Sequence, residues 1–457
     1  MMLFTTNWLA KQFPSNQGKV QDNIAIKQVT TDSRTKDEGL LFVPIVGENF
    51  DGHDFVQQAI ENGASAIIWD ESKQLPDGIL PDFPVYFVKD TLRALQDLSS
   101  AYRAEVNPIV IGVTGSNGKT TTKDLISAVV KTTYRTHATK GNFNNHIGLP
   151  LTILSMDRNT EVLIVEMGMS NFHEIDLLTR IARPDVAIIT NIGESHIEFL
   201  GSREGIAKAK LEIIHGLDES GVLIIDGDEP LLREKNINQK LISCGFDEKN
   251  DYTISQVKIH TLETEFTLSD GMSYQVPLLG KHHAKNASFA LALGKLLNIP
   301  TEKSKQALRN LELTGMRFEL LKGINDVSII NDAYNASATS MKAAIEVVKQ
   351  MSGFQQKVLV LGDILELGDR AREFHESVAE VIEAPITVLF TYGNHAKWIQ
   401  TALQTKSHTL VCTHFASKED LVQALAPYLT KHSLLLFKAS RGLKFEEMIE
   451  AITTNSN

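Results

Sequence analysis

The chain has 457 residues and a formal net charge of −11 at pH 7, with 42% hydrophobic and 22% charged residues. This length exceeds what one hydrophobic core normally serves, and the composition is that of a folded globular protein rather than a disordered or fibrous one. The negative charge argues against a broad basic surface for nucleic acid, so any anionic ligand must be bound locally.

The spacing of the cysteines argues against a disulfide-linked protein, and the length of the apolar runs argues against a membrane protein. Cys244 and Cys412 lie far apart without the spacing of metal ligands, so a disulfide framework is not expected. The sequence has no run of about 18 apolar residues, and residues 1–13 lack the segments of a secretory signal. We therefore expect no integral membrane segment and a cytoplasmic location.

Residues 1–106 have the pattern of a small α/β domain. Short apolar runs, such as residues 40–43 and 66–69, alternate with polar loops. A stretch with leucines at helical spacing, residues 91–103, then leads into an Asn-Pro pair that is typical of a boundary. We place the first domain boundary between residues 106 and 107.

A glycine-punctuated run at residues 114–120 separates a strand-like apolar stretch from a helix-like one. In such a turn, successive backbone N–H groups point at phosphates, Lys119 supplies a positive charge and the Thr120 hydroxyl can hold Mg²⁺. The spacing departs from the Walker pattern, because Val113 stands where the first glycine belongs. We predict an ATP site. The expected contacts come from Thr114, Gly115, Ser116, Asn117, Gly118, Lys119, Thr120 and Thr121.

Continuous apolar segments separated by helix-like stretches characterise residues 107–315, which predicts a mainly parallel sheet around the ATP site. The segments are residues 109–113, 162–165, 186–189 and 222–225. Alternating apolar residues between positions 241 and 277 predict antiparallel strands. Residues 284–297 have the pattern of an alanine-rich packed helix.

Polar residues follow two of these predicted strands, where the ligands of open α/β sheets collect. Glu166 comes directly after one strand, and His196 lies in the loop after the next. If both strands flank the strand before the phosphate loop, the carboxylate and the imidazole converge on the triphosphate and suit Mg²⁺ or Mn²⁺. Lys210 leaves two interpretations open, a solvated helix face or a buried, reactive amine.

Strand-like and helix-like segments alternate again in residues 316–457, which predicts a Rossmann-like C-terminal domain. Asn286, Arg317 and Asp332 are candidates for contacts with adenine, with the γ-phosphate and between domains. An arginine just past a domain hinge can swing onto the γ-phosphate when the domains close. Loops that follow the C-terminal strands can hold a second substrate.

Short motifs along nearly the whole chain together resemble the Mur ligase family. Residues 114–120 resemble the family's own variant of the phosphate loop, which accounts for the irregular spacing. The other motifs are residues 141–145, 166–168, 190–196, 209–213, 332–335 and 360–368. The last two favour the branch of the family that joins D-alanyl-D-alanine to UDP-N-acetylmuramoyl-tripeptide.

The resemblance implies an enzyme with a UDP-sugar-binding N-terminal domain, a central ATP-binding domain and a C-terminal Rossmann-like domain. It implies ATP-dependent amide formation through an acyl phosphate, with Mg²⁺, in peptidoglycan precursor synthesis. The expected partners are UDP-N-acetylmuramoyl-tripeptide and D-alanyl-D-alanine, with no nucleic acid and no second subunit. Domain closure about hinges near Val106 and Gly315 is expected to exclude water from the acyl phosphate.

Residue roles are implied where the motifs match. Ser33 and Arg34 are expected to bind the UDP-sugar, together with the loop at residues 51–53. Lys210 matches a lysine that is carbamylated in relatives. The expected metal ligands are Thr120, Glu166, His196 and carbamylated Lys210. The expected catalytic residues are Lys119, Lys210, His196 and Arg317, the further ATP contacts are Asn286, Arg317 and Asp332, and the further substrate residues are Asn144, Asn145, Tyr334 and Asn335.

Two positions depart from the family pattern. His283 stands where relatives often carry an asparagine near the nucleotide, and His146 stands where they carry an acidic residue near the peptide. Three alternatives stay open: a sister ligase that adds a single amino acid, including a folate-glutamylating one, a P-loop regulatory ATPase, and an inactive sugar-nucleotide-binding module. A panel of acceptors separates the ligases from each other, and the intact loop and metal residues argue against the inactive module.

Overall fold

Three extended β-sheets, of five, nine and six strands in chain order, organise the part of the protein that the structure describes. This computed structural model describes residues 2–233, 237–260, 263–311, 315–404 and 410–453. Most neighbouring strands run parallel and are connected through helices, which confirms the predicted α/β class. The domain boundaries after residues 106 and 315 stay predictions.

The five-stranded sheet forms the N-terminal part of the protein. Its elements are β1 (Phe4–Thr5), α1 (Thr6–Gln12), β2 (Asn16–Gln17), β3 (Ala25–Ile26), β4 (Gln28–Thr30), β5 (Leu40–Phe42), α2 (Val56–Glu61), β6 (Ala64–Asp70), β7 (Val85–Val88) and α3 (Thr91–Val106). The strand order is β2-β7-β6-β5-β4, in which only β2 pairs antiparallel among the described strands, while β1 and β3 form a separate ribbon. Trp69 and Val85 lie in a core cluster made of this part's own residues.

The nine-stranded sheet forms the middle of the protein. Its elements are β8 (Ile109–Thr114), α4 (Lys119–Lys131), β9 (Thr136–Ala138), α5 (Gly148–Leu154), β10 (Val162–Glu166), α6 (Glu174–Ala182), β11 (Val186–Ile189), α7 (Ile197–Leu200), α8 (Arg203–Leu211), β12 (Val222–Asp226), α9 (Pro230–Arg233), β13 (Lys240–Gly245), β14 (Tyr252–Ile259), β15 (Thr264–Leu268), β16 (Ser273–Val276), α10 (Lys281–Leu296) and α11 (Thr301–Arg309). The strand order is β16-β15-β14-β13-β12-β11-β8-β10-β9. Val110 and Val113 of β8 enter different core clusters, which explains why this strand is apolar throughout.

The antiparallel part of this sheet begins later than the sequence predicts. β13 runs parallel to β12, and β14 runs parallel to β13, whereas β14 with β15 and β15 with β16 are antiparallel pairs. The predicted antiparallel strands are therefore confirmed for β14 to β16, and the prediction is wrong for β13. Ile242 and Cys244 of β13 are buried, so this strand still belongs to the covered parallel sheet, and exposed positions become frequent only in β14.

The six-stranded sheet forms the C-terminal part. Its elements are β17 (Glu319–Lys322), β18 (Ser328–Asn331), α12 (Ala338–Gln350), β19 (Gln356–Gly362), α13 (Ala371–Val378), β20 (Val388–Tyr392), α14 (Lys397–Gln404), β21 (Val411–Phe415), α15 (Lys418–Ala424), β22 (Ser433–Lys438) and α16 (Glu446–Ile452). The strand order is β17-β18-β22-β19-β20-β21, and the β17–β18 pair alone is antiparallel among the described strands. None of the described helices combines the length and the apolar character that crossing a membrane requires.

Two helices of the middle part pack closely beneath the phosphate loop. α4 begins directly after Gly118, and α10 lies along it. Gly294 of α10 allows the close approach, because a Cβ there would lie 3.0 Å from a methyl group of Val129 in α4. This packing brings Asn286, near the start of α10, beside the loop.

Candidate active site

A cavity of about 750 Å³ opens at the carboxyl ends of the central strands. β8 leads into the phosphate loop, β10 ends at Glu166, and β11 leads into the segment at residues 190–196. Because β10 and β11 flank β8, these three loops meet at one edge of the sheet. Arg317 and Tyr334, which lie at the start of the C-terminal part, line the same cavity.

The phosphate loop needs glycine at two positions for steric reasons. Gly115 has a φ of 151°, and a Cβ there would lie 1.9 Å from the Thr190 hydroxyl oxygen. Gly118 has a φ of 77°, in the left-handed region, and a Cβ there would lie 3.1 Å from the side-chain nitrogen of Asn286. The loop therefore runs close to its neighbours and turns into α4, whose first residues line the cavity. The N–H groups at the start of a helix favour an anion at this position.

The segment at residues 190–196 holds the loop in this shape. The Asn117 N–H donates to Asn191 Oδ1 at 2.9 Å, and Thr190 Oγ1 donates to the Asn117 carbonyl at 2.7 Å. The Gly193 N–H donates to Ser116 Oγ at 2.9 Å. These bonds order the loop through its own protein neighbours, so phosphate binding does not have to order it.

Lys119 begins α4 and turns its amine back across the loop. Its Nζ donates to the Gly115 carbonyl at 2.8 Å. Loss of surrounding water lowers the pKa of Lys119, while the nearby Glu166 carboxylate opposes this shift and Arg317 reinforces it. The lysine thus lies in the position from which a point charge reaches phosphate oxygens.

Glu166 is buried, and both of its carboxylate oxygens are engaged. Thr120 Oγ1 donates to Oε2 at 2.7 Å, and Asn144 Nδ2 donates to Oε1 at 2.8 Å. No group of three or more His, Cys, Asp and Glu side chains is placed to hold a metal ion within the described ranges. A hydroxyl beside one carboxylate suits Mg²⁺ that is carried largely by phosphate oxygens, rather than a cage made of protein alone.

His196 lines the cavity and contacts the C-terminal part of the protein. Its Nδ1 pairs with the carboxylate of Glu366, in the loop after β19. The neighbouring His196 imidazole holds the pKa of Glu366 below its usual value despite partial burial. One ring nitrogen of the predicted metal ligand is therefore already paired with a carboxylate.

Lys210 lies in α8 and is only 2% exposed. Burial lowers the pKa of Lys210 well below its ordinary value, and the positive charge of Lys119 lowers it further. Of the two interpretations that the sequence leaves open, the structure therefore supports the buried amine. A neutral lysine amine is a nucleophile, which a solvated, charged lysine is not.

The first turns of α10 form a second wall of the cavity. Asn286 is buried against the loop, and Lys285 pairs at 2.8 Å with both Asp226 and Asp228. His283 is buried too, and burial lowers its pKa well below the usual value. Its Nδ1 has no hydrogen-bond partner among the described residues. At this position, which departs from the family pattern, the chain therefore presents a neutral imidazole to the cavity.

Arg317 and Asp332 differ in how their charges are engaged. The Arg317 guanidinium lies 4.1 Å from the centre of the Tyr334 ring, and its Nε has no hydrogen-bond partner in the described part of the chain. Asp332 accepts the Phe318 N–H at 3.2 Å and pairs with Lys438 at 2.6 Å. Arg317 is thus available to an anion, whereas Asp332 fixes the backbone next to it.

Three predicted substrate residues, Asn144, Asn145 and Asn335, also line this cavity. Asn145 Oδ1 accepts the N–H of Gly148, the first residue of α5, at 2.8 Å. Asn335 Oδ1 accepts the N–H of Ala336 at 2.9 Å. The side chains of Asn145 and Asn335 therefore shape the cavity wall through hydrogen bonds to the backbone.

The predicted UDP-sugar residues do not lie in the wall of this cavity. Ser33 Oγ donates to Gln58 Oε1 at 2.7 Å. Arg34 is exposed and pairs with Asp32 at 2.9 Å, and this bond lowers the pKa of Asp32 to about 2. The structure thus places Ser33 and Arg34 in the N-terminal part, away from the phosphate loop.

Sequence reasoning missed the side chains that join the C-terminal part to the phosphate site: Ser337, Thr339 and Glu366. Ser337 and Ser340 form a capping box at the start of α12, and the Ser-x-x-Ser spacing was a signal for a helix start. Glu366 lies in a motif that the sequence had already singled out. Neither signal indicates the contacts across the cavity.

Models of three Mur ligase domains match consecutive parts of the chain. The family's catalytic domain matches residues 25–113, the middle domain matches residues 113–294, and the glutamate ligase domain matches residues 316–441. The UDP-N-acetylmuramoyl-tripeptide–D-alanyl-D-alanine ligase of Bacillus subtilis strain 168 is 50% identical over 436 residues, which cover 94% of this chain and 93% of that protein. The chain belongs to the Mur ligase family. The family that the sequence motifs predict is confirmed.

Solved Mur ligase structures share the fold along nearly the whole chain. A crystal structure of MurF from Acinetobacter baumannii has a TM-score of 0.86 at 28% identity and covers 98% of each chain. MurF of Thermotoga maritima, solved in complex with ADP, has a TM-score of 0.81 at 30% identity and covers 93% of this chain and 96% of that one. The arrangement of sheets described above is thus the Mur ligase arrangement.

Proposed function

We propose that this Mur ligase joins D-alanyl-D-alanine to UDP-N-acetylmuramoyl-tripeptide, with ATP converted to ADP and phosphate, in peptidoglycan precursor synthesis. The observation that carries the proposal is that one cavity contains the phosphate loop, Glu166 and Arg317, whose Nε has no hydrogen-bond partner among the described residues. The 50% identical relative from Bacillus subtilis, which is named for this reaction, supports it. The relative from Thermotoga maritima, solved with ADP, supports the use of ATP.

The first half of the reaction activates a carboxylate. An oxygen of the tripeptide's terminal carboxylate attacks the γ-phosphorus, the bond to the β–γ bridging oxygen breaks, and ADP leaves an acyl phosphate behind. Lys119 and the N–H groups at the start of α4 stabilise the charge on the phosphate oxygens. Arg317, which lines the same cavity, adds a further positive charge.

Mg²⁺ would neutralise phosphate charge and fix the orientation of the γ-phosphate. Thr120 and Glu166 would hold it, since their oxygens already lie 2.7 Å apart. His196 is a further proposed ligand, through the ring nitrogen that Glu366 leaves free. The neutral amine of Lys210 can add to CO₂ and lose a proton, and the resulting carbamate provides oxygen ligands of the kind that Mg²⁺ prefers.

The second half of the reaction forms the amide. The neutral amine of D-alanyl-D-alanine attacks the acyl carbon, phosphate leaves with the bridging oxygen, and the nitrogen loses a proton to solvent. The chain's contribution is to align the two reactants and to keep water from the acyl phosphate. The loops after the C-terminal strands, which line the cavity opposite α4, are proposed to hold the dipeptide.

The N-terminal part is proposed to hold the UDP end of the peptide substrate. Arg34 exposes a guanidinium, paired with Asp32, that suits a pyrophosphate, and the Ser33 hydroxyl, bonded to Gln58, is proposed to add a further contact. We further propose that the enzyme acts as a monomer. A cytoplasmic location follows from its proposed substrates, ATP and a nucleotide-linked precursor.

A panel of acceptors tests this function. In parallel reactions with ATP and Mg²⁺, UDP-N-acetylmuramoyl-tripeptide is combined with D-alanyl-D-alanine, D-alanine, a diamino acid or glutamate, and a folate is combined with glutamate. Products are identified by mass spectrometry. We expect amide product and phosphate only in the reaction that contains D-alanyl-D-alanine. A product with a single amino acid instead would assign the chain to a sister ligase, and phosphate release without any acceptor would indicate an ATPase.

A further inference from the structure

Side-chain hydrogen bonds connect the first turn of α12 with the phosphate side of the cavity. Ser337 Oγ donates to Asn117 Oδ1 at 3.1 Å, although the two residues are 220 positions apart in the chain. Thr339 Oγ1 lies 2.8 Å from both carboxylate oxygens of Glu194. One helix of the C-terminal part therefore contacts both the phosphate loop and the segment that supports it.

The backbone and the side chain of Asn117 form hydrogen bonds with different parts of the protein. Its N–H donates to Asn191 Oδ1, and its carbonyl accepts bonds from Thr190 Oγ1 and Asn191 Nδ2. These backbone bonds stay within the middle part of the protein. The side-chain oxygen, by contrast, accepts its bond from Ser337 of the C-terminal part.

The direction of the Ser337 hydroxyl is fixed by its role at the helix start. Ser337 is 1% exposed, and its Oγ accepts the Ser340 N–H at 3.1 Å as the N-cap of α12. Since this bond uses the oxygen as an acceptor, the hydroxyl hydrogen is left for Asn117. α12 itself is anchored by buried Met341, Ile345 and Val348, so the cap moves with the C-terminal sheet.

Thr339 adds a second contact on the same helical turn. Its partner Glu194 belongs to the segment at residues 190–196, whose Thr190 and Asn191 hold the phosphate loop. A shift of α12 relative to the middle part therefore acts on the loop directly and on its support. In a reaction that needs precise alignment, a displacement of about 1 Å can lower the rate about a hundredfold.

We propose that Ser337, together with Thr339, is a positioning residue that sets the phosphate loop in register with the C-terminal part of the protein. The inference rests on the proposed function, because the C-terminal part is taken to carry the dipeptide. The two hydroxyls keep the γ-phosphate and the incoming amine in one arrangement. When the contact is lost, more of the acyl phosphate meets water before it meets the amine.

The test compares Ser337→Ala with variants that separate positioning from helix capping. Ser337→Thr keeps a capping hydroxyl. Ser417→Ala is the matched control, since Ser417 caps α15 through a 3.1 Å bond to the Asp420 N–H in the same part of the protein. Thr339→Val removes the second contact while it preserves side-chain shape. For each variant, kcat, the KM for ATP and the ratio of phosphate to amide product are measured with all three substrates.

We expect Ser337→Ala to lower kcat about fivefold to tenfold, the effect of one hydrogen bond. The KM for ATP should stay within about twofold, because the middle part holds the loop by itself. The ratio of phosphate to amide should rise above one. Ser337→Thr should restore both kcat and the ratio, Ser417→Ala should match the wild type, and Thr339→Val should shift kcat and the ratio in the same direction as Ser337→Ala.

Wild-type kcat and ratio in Ser337→Ala would overturn the inference, as would an equal loss in Ser417→Ala. If thermal unfolding shows that Ser337→Ala does not fold, Thr339→Val decides by the same two readouts. The wild-type enzyme in the same assay distinguishes failure of the proposed function from failure of the positioning role. Absence of its amide product would refute the proposed function, whereas normal coupling in both variants would refute the positioning role alone.

Discussion

The phosphate side of the cavity and the N-terminal part of the protein hold their polar side chains in different ways. Around the phosphate loop, backbone and side-chain bonds reach across strands and helices, and Glu166 is buried. In the N-terminal part, Arg34 pairs with a carboxylate only two residues away and stays exposed. The first region is preorganised for a compact, highly charged ligand, whereas the second offers surface side chains that must exchange partners to bind one.

This contrast predicts that substitutions on the phosphate side impair catalysis, whereas substitutions in the N-terminal part weaken substrate binding. The largest effect is expected for Lys119→Ala, which removes the positive charge at the loop. We expect kcat to fall about 10³-fold, as for the loss of one transition-state stabilising group. Steady-state ligation assays check this, with Lys131→Ala, at the exposed far end of the same helix, as the control. A Lys119→Ala enzyme with nearly full activity would refute the role of the loop.

A smaller effect is expected for Glu166→Gln, which removes the charge and leaves one acceptor oxygen in place of two. We expect the apparent affinity for Mg²⁺ to fall about 10²-fold, with partial rescue at high Mg²⁺. Titration of Mg²⁺ against the ligation rate measures this. Glu161→Gln, just before the same strand and exposed, is the control, and an equal change in both variants would contradict a ligand role for Glu166.

Arg34→Ala examines the N-terminal side of the comparison. We expect the KM for UDP-N-acetylmuramoyl-tripeptide to rise about tenfold, as for one lost charged hydrogen bond, with the KM for ATP unchanged. Kinetic titration of each substrate separates the two. Lys19→Ala breaks another exposed pair in the same part of the protein, Lys19 with Asp82, and should change neither KM. A higher KM for ATP in Arg34→Ala would contradict the separation of the two regions.

The smallest predicted effect is on stability and concerns the buried Lys210. Because burial lowers its pKa, the unfolded chain retains on this lysine a proton that the folded chain lacks, up to the ordinary pKa of 10.5. The unfolded state therefore binds more protons, and stability rises with pH across this window. In buffer free of CO₂, Lys210→Met should lower the slope of the free energy of unfolding against pH. The decrease should correspond to about one proton.

Denaturant unfolding at several pH values measures this slope. Lys208→Met, on the exposed face of the same helix, should leave it unchanged. An unchanged slope in Lys210→Met would contradict a neutral, buried amine. The same variant cannot form the proposed carbamate, so it should also lose a ¹³C carbamate signal that the wild type shows with labelled bicarbonate.

The sequence predicted the α/β class, the phosphate loop and the convergence of Glu166 with it, because each depends on local pattern and on the order of neighbouring strands. It did not predict the onset of antiparallel pairing, which depends on what covers each strand. The sequence could not predict the hydrogen bond from Ser337 to Asn117 either, for a different reason. Residues 220 positions apart meet only through the packing of two sheets, and no local pattern encodes that contact.

Transfer of oxygen from the carboxylate to phosphate tests the central claim most directly. The terminal carboxylate of the tripeptide is labelled with ¹⁸O, and the phosphate released during ligation is analysed by mass spectrometry. If the carboxylate attacks the γ-phosphorus, each phosphate carries one ¹⁸O from the tripeptide and the amide keeps the other. Released phosphate without ¹⁸O would show that water, and not the carboxylate, is the nucleophile, and would contradict the proposed ligase mechanism.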